Sequence, residues 1–112
     1  MSTLLITHPC FLDHDTGPGH PERPDRMRAI DKVMRHDLFL PLVREDAPWR
    51  EDVEEAIVRV HPQDYLDQIR SSRPGEGEEG VRLDPDTVLS PGSWEPAMRA
   101  VGAGLLAVDK VM

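Results

Sequence analysis

Residues 14–26 read His14-Asp15-Thr16-Gly17-Pro18-Gly19-His20-Pro21-Glu22-Arg23-Pro24-Asp25-Arg26. They overlap a window, residues 8–24, that holds four prolines, two glycines and three histidines. Proline removes a backbone donor and fixes φ, so neither a helix interior nor a central strand tolerates this density. The window is a loop of 17 residues. Loops of that length without structure of their own are uncommon, and are usually functional or disordered. Its His and Asp side chains suit local turn hydrogen bonds. His8, His14, Asp15 and His20 are also metal-ligand types. No pair of them stands at i, i+4, however, and a closed zinc site needs four converging ligands. Gly17-Pro18-Gly19 lacks the spacing and the Lys-Ser/Thr of a phosphate-binding loop.

Working outward, Thr3 to Thr7 (TLLIT) is a short apolar, partly β-branched run. It predicts a buried strand of a parallel sheet covered on both faces. Downstream, Pro24 and Asp25 suit a first helical turn, and Met27, Ile30, Val33 and Met34 recur at helical spacing. Leu38 to Val43 (LFLPLV) is a second apolar run, and Pro41 makes it an edge strand or an extended connection. Glu51 to Val60 is a weak helix or turn. Pro62 opens a short helix that runs through Tyr65, Leu66 and Ile69 toward Arg70. Tyr65 is assigned to the core. Ser71 to Gly80 (SSRPGEGEEG) has no apolar residue and is read as an exposed flexible loop. Leu83 to Ser93 carries turn chemistry. Ser93 is placed to cap a last helix with the stripe Trp94, Met98, Val101, Leu105, Val108 and Met112. Ala97, Ala100, Gly102, Ala103 and Gly104 let that helix approach a neighbour closely.

The chain has 112 residues, room for one domain. Thirteen Lys plus Arg against 21 Asp plus Glu leave a net charge of −8. A bare nucleic-acid-binding module needs the opposite field. Cys10 is the single cysteine, so no intrachain disulfide forms and a secreted stapled fold is excluded. Cys10 has no activating partner in sight and is read as an inert buried thiol. No apolar run reaches the roughly 20 residues that span a bilayer, and no signal peptide is visible. A cytoplasmic protein with no membrane partner is expected. The last helix reaches Met112 without a stop signal, and too few strands are in sight to cover its apolar stripe.

Three segments resemble the histone deacetylase superfamily, and most of all its bacterial and class II-like branch, which includes acetylpolyamine amidohydrolases. The first is His14-Asp15 followed by Gly17 to Arg26 and Ala29-Ile30. The second is Val60-His61-Pro62 with Tyr65-Leu66. The third is Leu83 to Trp94, followed by Ala97, Ala100 and Gly102. They occur in the family's order and span residues 3 to 112.

The resemblance implies an α/β fold, the N-terminal part of an arginase/deacetylase-like open, mostly parallel sheet with flanking helices. It implies a Zn²⁺ held by two Asp and one His in the intact enzyme. A His pair and a Tyr would assist hydrolysis of an acetyl amide there. No adjacent His-His and no Asp-x-His occurs in this chain. Residues 1–112 are therefore expected to be the N-terminal portion of one deacetylase domain, ending before the zinc-binding segments. On this reading they have no catalytic residue, no metal ligand and no activity alone. His14, His20 and His61 take no catalytic role.

By resemblance, His20, Pro21 and Glu22 form part of the substrate-tunnel rim, and the alternative is that they only shape the loop. Arg26 matches a family arginine lining the cavity behind the zinc, and the alternative is a surface arginine paired with an acid. Asp86 matches a rim position that contacts substrate backbone. Asp84 would replace it if the register slips, and either could simply cap a turn. The implied partner is an acetylated protein or an acetylated polyamine or other small amine. A function of another class, a non-catalytic binding module or homo-oligomer, stays open beside it.

Overall fold

A computed structural model describes residues 2–112. Strand β1 is Leu4–Thr7, and it pairs in parallel with β2, Val43–Asp46, in the register Leu4↔Val43 to Thr7↔Asp46. Parallel neighbours need a crossover, and helix α1, Pro24–Met34, lies within it. The mixed strands and helices and this parallel pair give the α/β class expected. All four β1 residues are only half-buried, because the sheet has two strands where a doubly covered sheet has more.

Several elements depart from the sequence reading. The apolar run Leu38 to Val43 is not itself the second strand. Asp37–Phe39 forms a 3-10 turn, and the strand begins at Val43 and continues into Arg44-Glu45-Asp46. Backbone pairing to β1 overrides the poor strand propensity of the acidic residues. Arg44 donates to the carbonyls of Met34 and Phe39, so its side chain closes the end of α1. The long loop also starts with structure, a 3-10 turn at Pro9–Asp13, in which Pro9 fills a position that needs no N–H.

Helix α2 is Val53–Val58, and α3 is Gln63–Ser71 with Pro62 just outside it as cap residue. Leu66 is the buried residue of α3, whereas Tyr65 is 48% exposed and stacks on His61. Tyr65 is therefore not core. The turn-rich segment after residue 80 holds an antiparallel hairpin, β3 (Val81–Asp84) and β4 (Thr87–Leu89). Its two strands are so short that turn residues hid them.

Helix α4, Trp94–Val111, is the longest element. Met98 and Gly102 are buried, but Val108 is 57% and Met112 94% exposed, so the expected stripe is covered only over its first half. Arg99 donates to the Ala47 carbonyl at 2.8 Å, and Arg50 reaches both Asp52 and Asp109 at 2.8 Å. These bonds fasten α4 to the segment after β2. Gly102 makes the approach possible, because a Cβ there would stand 2.5 Å from the Pro48 carbonyl oxygen. Gly104, one half-turn on, faces open space.

The two glycines separate close packing from helix propensity. Gly104→Ala is expected to stabilise the chain by about 0.5–1 kcal/mol through propensity alone. Gly102→Ala gains the same propensity but pushes on the backbone at Pro48, and is expected to be less stable than Gly104→Ala by about 1–3 kcal/mol. Urea unfolding of the two variants measures the difference.

Candidate functional site

The loop quoted above is a built object. Gly17 and Gly19 have φ of 93° and 80°, a region side chains avoid. Asp15 Oδ1 accepts the Gly17 N–H at 2.9 Å, and the buried Thr16 hydroxyl donates to the Glu22 carbonyl. Arg26 and Glu22 form an ion pair at 3.0 Å, with both side chains nearly half exposed. Such a pair contributes little stability, on the order of 0–1 kcal/mol. Among the alternatives raised for Arg26, pairing with an acid is the one seen in this chain.

Histidines do structural work in the loop. Nδ1 of His20 accepts the Glu22 N–H at 3.0 Å, as Nδ1 of His8 accepts that of Cys10 at 3.0 Å. Nε2 of His20 lies 2.9 Å from the Asp86 carbonyl oxygen, across 66 residues. A carbonyl only accepts, so Nε2 carries the proton. The structure thus brings together His20, Pro21 and Glu22 from one loop and Asp86 from the hairpin turn.

A second clamp lies beneath. Ser93 does not cap α4 with its side chain. Its Oγ instead lies 2.6 Å from His14 Nδ1, 2.8 Å from Ser90 Oγ, and accepts the Ser90 N–H at 2.8 Å. Ser90 Oγ accepts the Asp15 N–H at 3.2 Å. One proton arrangement leaves no hydroxyl hydrogen stranded. Ser93 donates to His14 Nδ1, and Ser90 donates to Ser93, so His14 carries its proton on Nε2. Ser90 and Ser93 are both buried, which makes complete pairing necessary.

His14 and Ser93 of the second clamp border an open, mostly apolar cleft of about 510 Å³, lined also by Phe11, Glu22, Arg26, Leu89 and Ala100, among others. On the other side of the junction, Asp13, Asp15, Glu78, Glu79 and Arg82 border a polar cleft of about 460 Å³.

Asp84 and Asp86 are told apart by their partners. Asp84 accepts the Asp86 N–H at 2.8 Å and the Thr87 hydroxyl at 3.0 Å, so both its oxygens hold the turn. These bonds, the first above all, hold its carboxyl below the ordinary value of 3.8. The exposed Asp86 carboxylate has no partner among the described residues. Cys10 is 5% exposed, and burial, with Glu95 nearby, pushes its thiol up, away from reactivity.

No group of three or more His, Cys, Asp or Glu among the described residues is placed to hold a metal ion. The loop histidines turn Nδ1 toward backbone N–H groups or a serine, so these side chains do not fit a zinc site. The two clamps were not legible in the sequence, since nothing local pairs His14 with Ser93 or His20 with residue 86.

A model of the histone deacetylase domain matches residues 20–112. An uncharacterized protein of Synechocystis sp. is 36% identical over 105 residues, which are 91% of this chain and 33% of that protein. The histone deacetylase-like amidohydrolase of Pseudomonas aeruginosa is 32% identical over 96 residues, 84% of this chain and 24% of that one. A probable deacetylase of Archaeoglobus fulgidus is 26% identical over 117 residues, 100% of this chain and 30% of that one. The chain belongs to the histone deacetylase family. It spans between 24% and 33% of the length of these relatives.

Asp84 gives the turn a pH dependence. Its folded carboxyl binds a proton less tightly than the unfolded one, so it contributes stability above the ordinary value of 3.8 and loses it as pH falls through the lower folded value. In an NMR titration the Asp84 carboxyl is expected to show its midpoint below 3.8, with the Asp86 amide shift following the same curve. A midpoint at or above that value would contradict the bonding described.

Proposed function

We propose that this chain is the N-terminal portion of a single deacetylase domain and that it builds one wall of the substrate entrance. The complete protein would carry out zinc-dependent removal of acetyl groups from acetyl-lysine or from acetylated polyamines and other small amines. The zinc ligands and proton-transfer groups would belong to the remainder of the domain. The chain alone would be inactive.

The observation that carries this proposal is the 2.9 Å bond from His20 to the Asp86 carbonyl. It joins the two loops that the family resemblance places at the rim, and it leaves the Asp86 carboxylate exposed to accept substrate amide N–H groups. Pro21 and Glu22 continue that rim. Arg26 faces the apolar cleft and is held by Glu22 until another anion, such as acetate, competes for it. The acidic cleft and the charge of −8 favour cationic amines by steering, an effect that salt screens. No helix of the described residues is long and apolar enough to cross a membrane.

Ile30, Val33, Leu38, Leu40, Val108 and Met112 are exposed apolar side chains. They suit burial by the rest of the domain, and equally the homo-oligomer of the alternative reading. The family match, with its coverage of a third or less of each relative, favours the first.

Asp86→Ala in the uninterrupted deacetylase domain tests the proposal. With an acetyl-lysine peptide, kcat/KM is expected to fall about ten- to hundredfold, mostly through KM, the range for losing hydrogen bonds to a charged group. Unchanged kinetics would remove Asp86 from the rim.

A further inference from the structure

We propose that His20 is a positioning residue that aims the Asp86 carboxylate without touching substrate itself. This rests on Asp86 being the substrate-contacting residue of the rim.

The geometry is specific. The direction of the Asp86 side chain is set by the two peptide planes that flank its Cα. The preceding plane is fixed where the Asp86 N–H donates to Asp84 Oδ1 at 2.8 Å. The following plane is fixed where the Asp86 carbonyl accepts from His20 Nε2 at 2.9 Å. Arg82 adds a bond to the Pro85 carbonyl at 3.1 Å. With both planes held, the Cα–Cβ bond of Asp86 has one direction, and its carboxylate is the only polar group left free. Without His20 the Asp86 carbonyl is released, φ of residue 86 is no longer held, and the Cα–Cβ bond that carries the carboxylate samples several directions.

His20 is itself held from behind. Its Nδ1 accepts the Glu22 N–H at 3.0 Å, and the Glu22 carbonyl is held by the Thr16 hydroxyl. The same local cap recurs where His36 Nδ1 accepts the Leu38 N–H at 3.1 Å. A cap alone therefore explains a histidine's Nδ1. It leaves unexplained why the second nitrogen of His20 spans 66 residues to a main-chain oxygen beside an unpaired carboxylate. One ring, protonated on Nε2 only, satisfies both bonds and converts the stiffness of the first loop into the orientation of the second.

The test uses the uninterrupted domain and an acetyl-lysine peptide. His20→Asn keeps an acceptor for the Glu22 N–H but is too short to reach residue 86. It is expected to raise KM about three- to tenfold, the range of one modest hydrogen bond, with kcat unchanged. His20→Gln, whose amide reaches further, is expected to recover part of that loss. In an Asp86→Ala background, His20→Asn is expected to add no further rise, because nothing remains to be aimed. Effects that add in the double variant would overturn the proposal while leaving Asp86 on the rim. So would an unchanged KM in His20→Asn, or a fall confined to kcat. An Asp86→Ala variant with normal kinetics would overturn both the rim assignment and the role of His20.

Discussion

Everything at the candidate site depends on two buried hydroxyls. Ser90 and Ser93 take the backbone N–H groups of Ser90 and Asp15 and the ring of His14 into one closed set of bonds. Ser90 and Ser93 are buried, and a buried polar group left without a partner costs about 1–3 kcal/mol. The set joins positions 75 and 79 residues apart, so the first loop and the start of α4 behave as one body. The hairpin that carries Asp86 leads directly into Ser90, which places its turn beside His20. The shape of this junction is thus inherited from polar bonding rather than from apolar packing, which is sparse in this chain.

Much of the chain was legible because local chemistry decided it. Proline at the start of α1 and the spacing of Met27, Ile30, Val33 and Met34 located that helix, and TLLIT located β1. The small residues of α4 marked a close approach, found at Gly102 against Pro48. What failed was decided by distant partners. Val43–Asp46 becomes a strand only because β1 lies beside it, and Ser93 turns away from its helix because His14 is within reach. Tyr65 looked like core by type, yet α3 buries Leu66 and leaves the ring stacked on His61 in solvent.

The rim assignments had the same mixed origin. Asp84 and Asp86 stand two residues apart in a turn, and the resemblance puts Asp86 at the rim with Asp84 as the alternative if the register slips. Their bonding differs, since both oxygens of Asp84 are consumed and those of Asp86 have no partner among the described residues. His20, Pro21 and Glu22 came from resemblance, and the structure adds how the first and last of them are held. The loop histidines, which as residue types suggested metal, prove to be backbone caps and clamps. A lone pair that accepts a backbone N–H is not available to a cation, so the same bonds that shape the loop remove it as a ligand set.

The most direct measurement is the tautomer of the two clamp histidines, read from long-range ¹⁵N–¹H correlations with both rings neutral. The account requires His14 and His20 each to carry the proton on Nε2 and to present a bare Nδ1. A proton on Nδ1 of His20 would mean that it neither accepts from Glu22 nor donates to the residue 86 carbonyl, and the junction of the two loops as described would not exist.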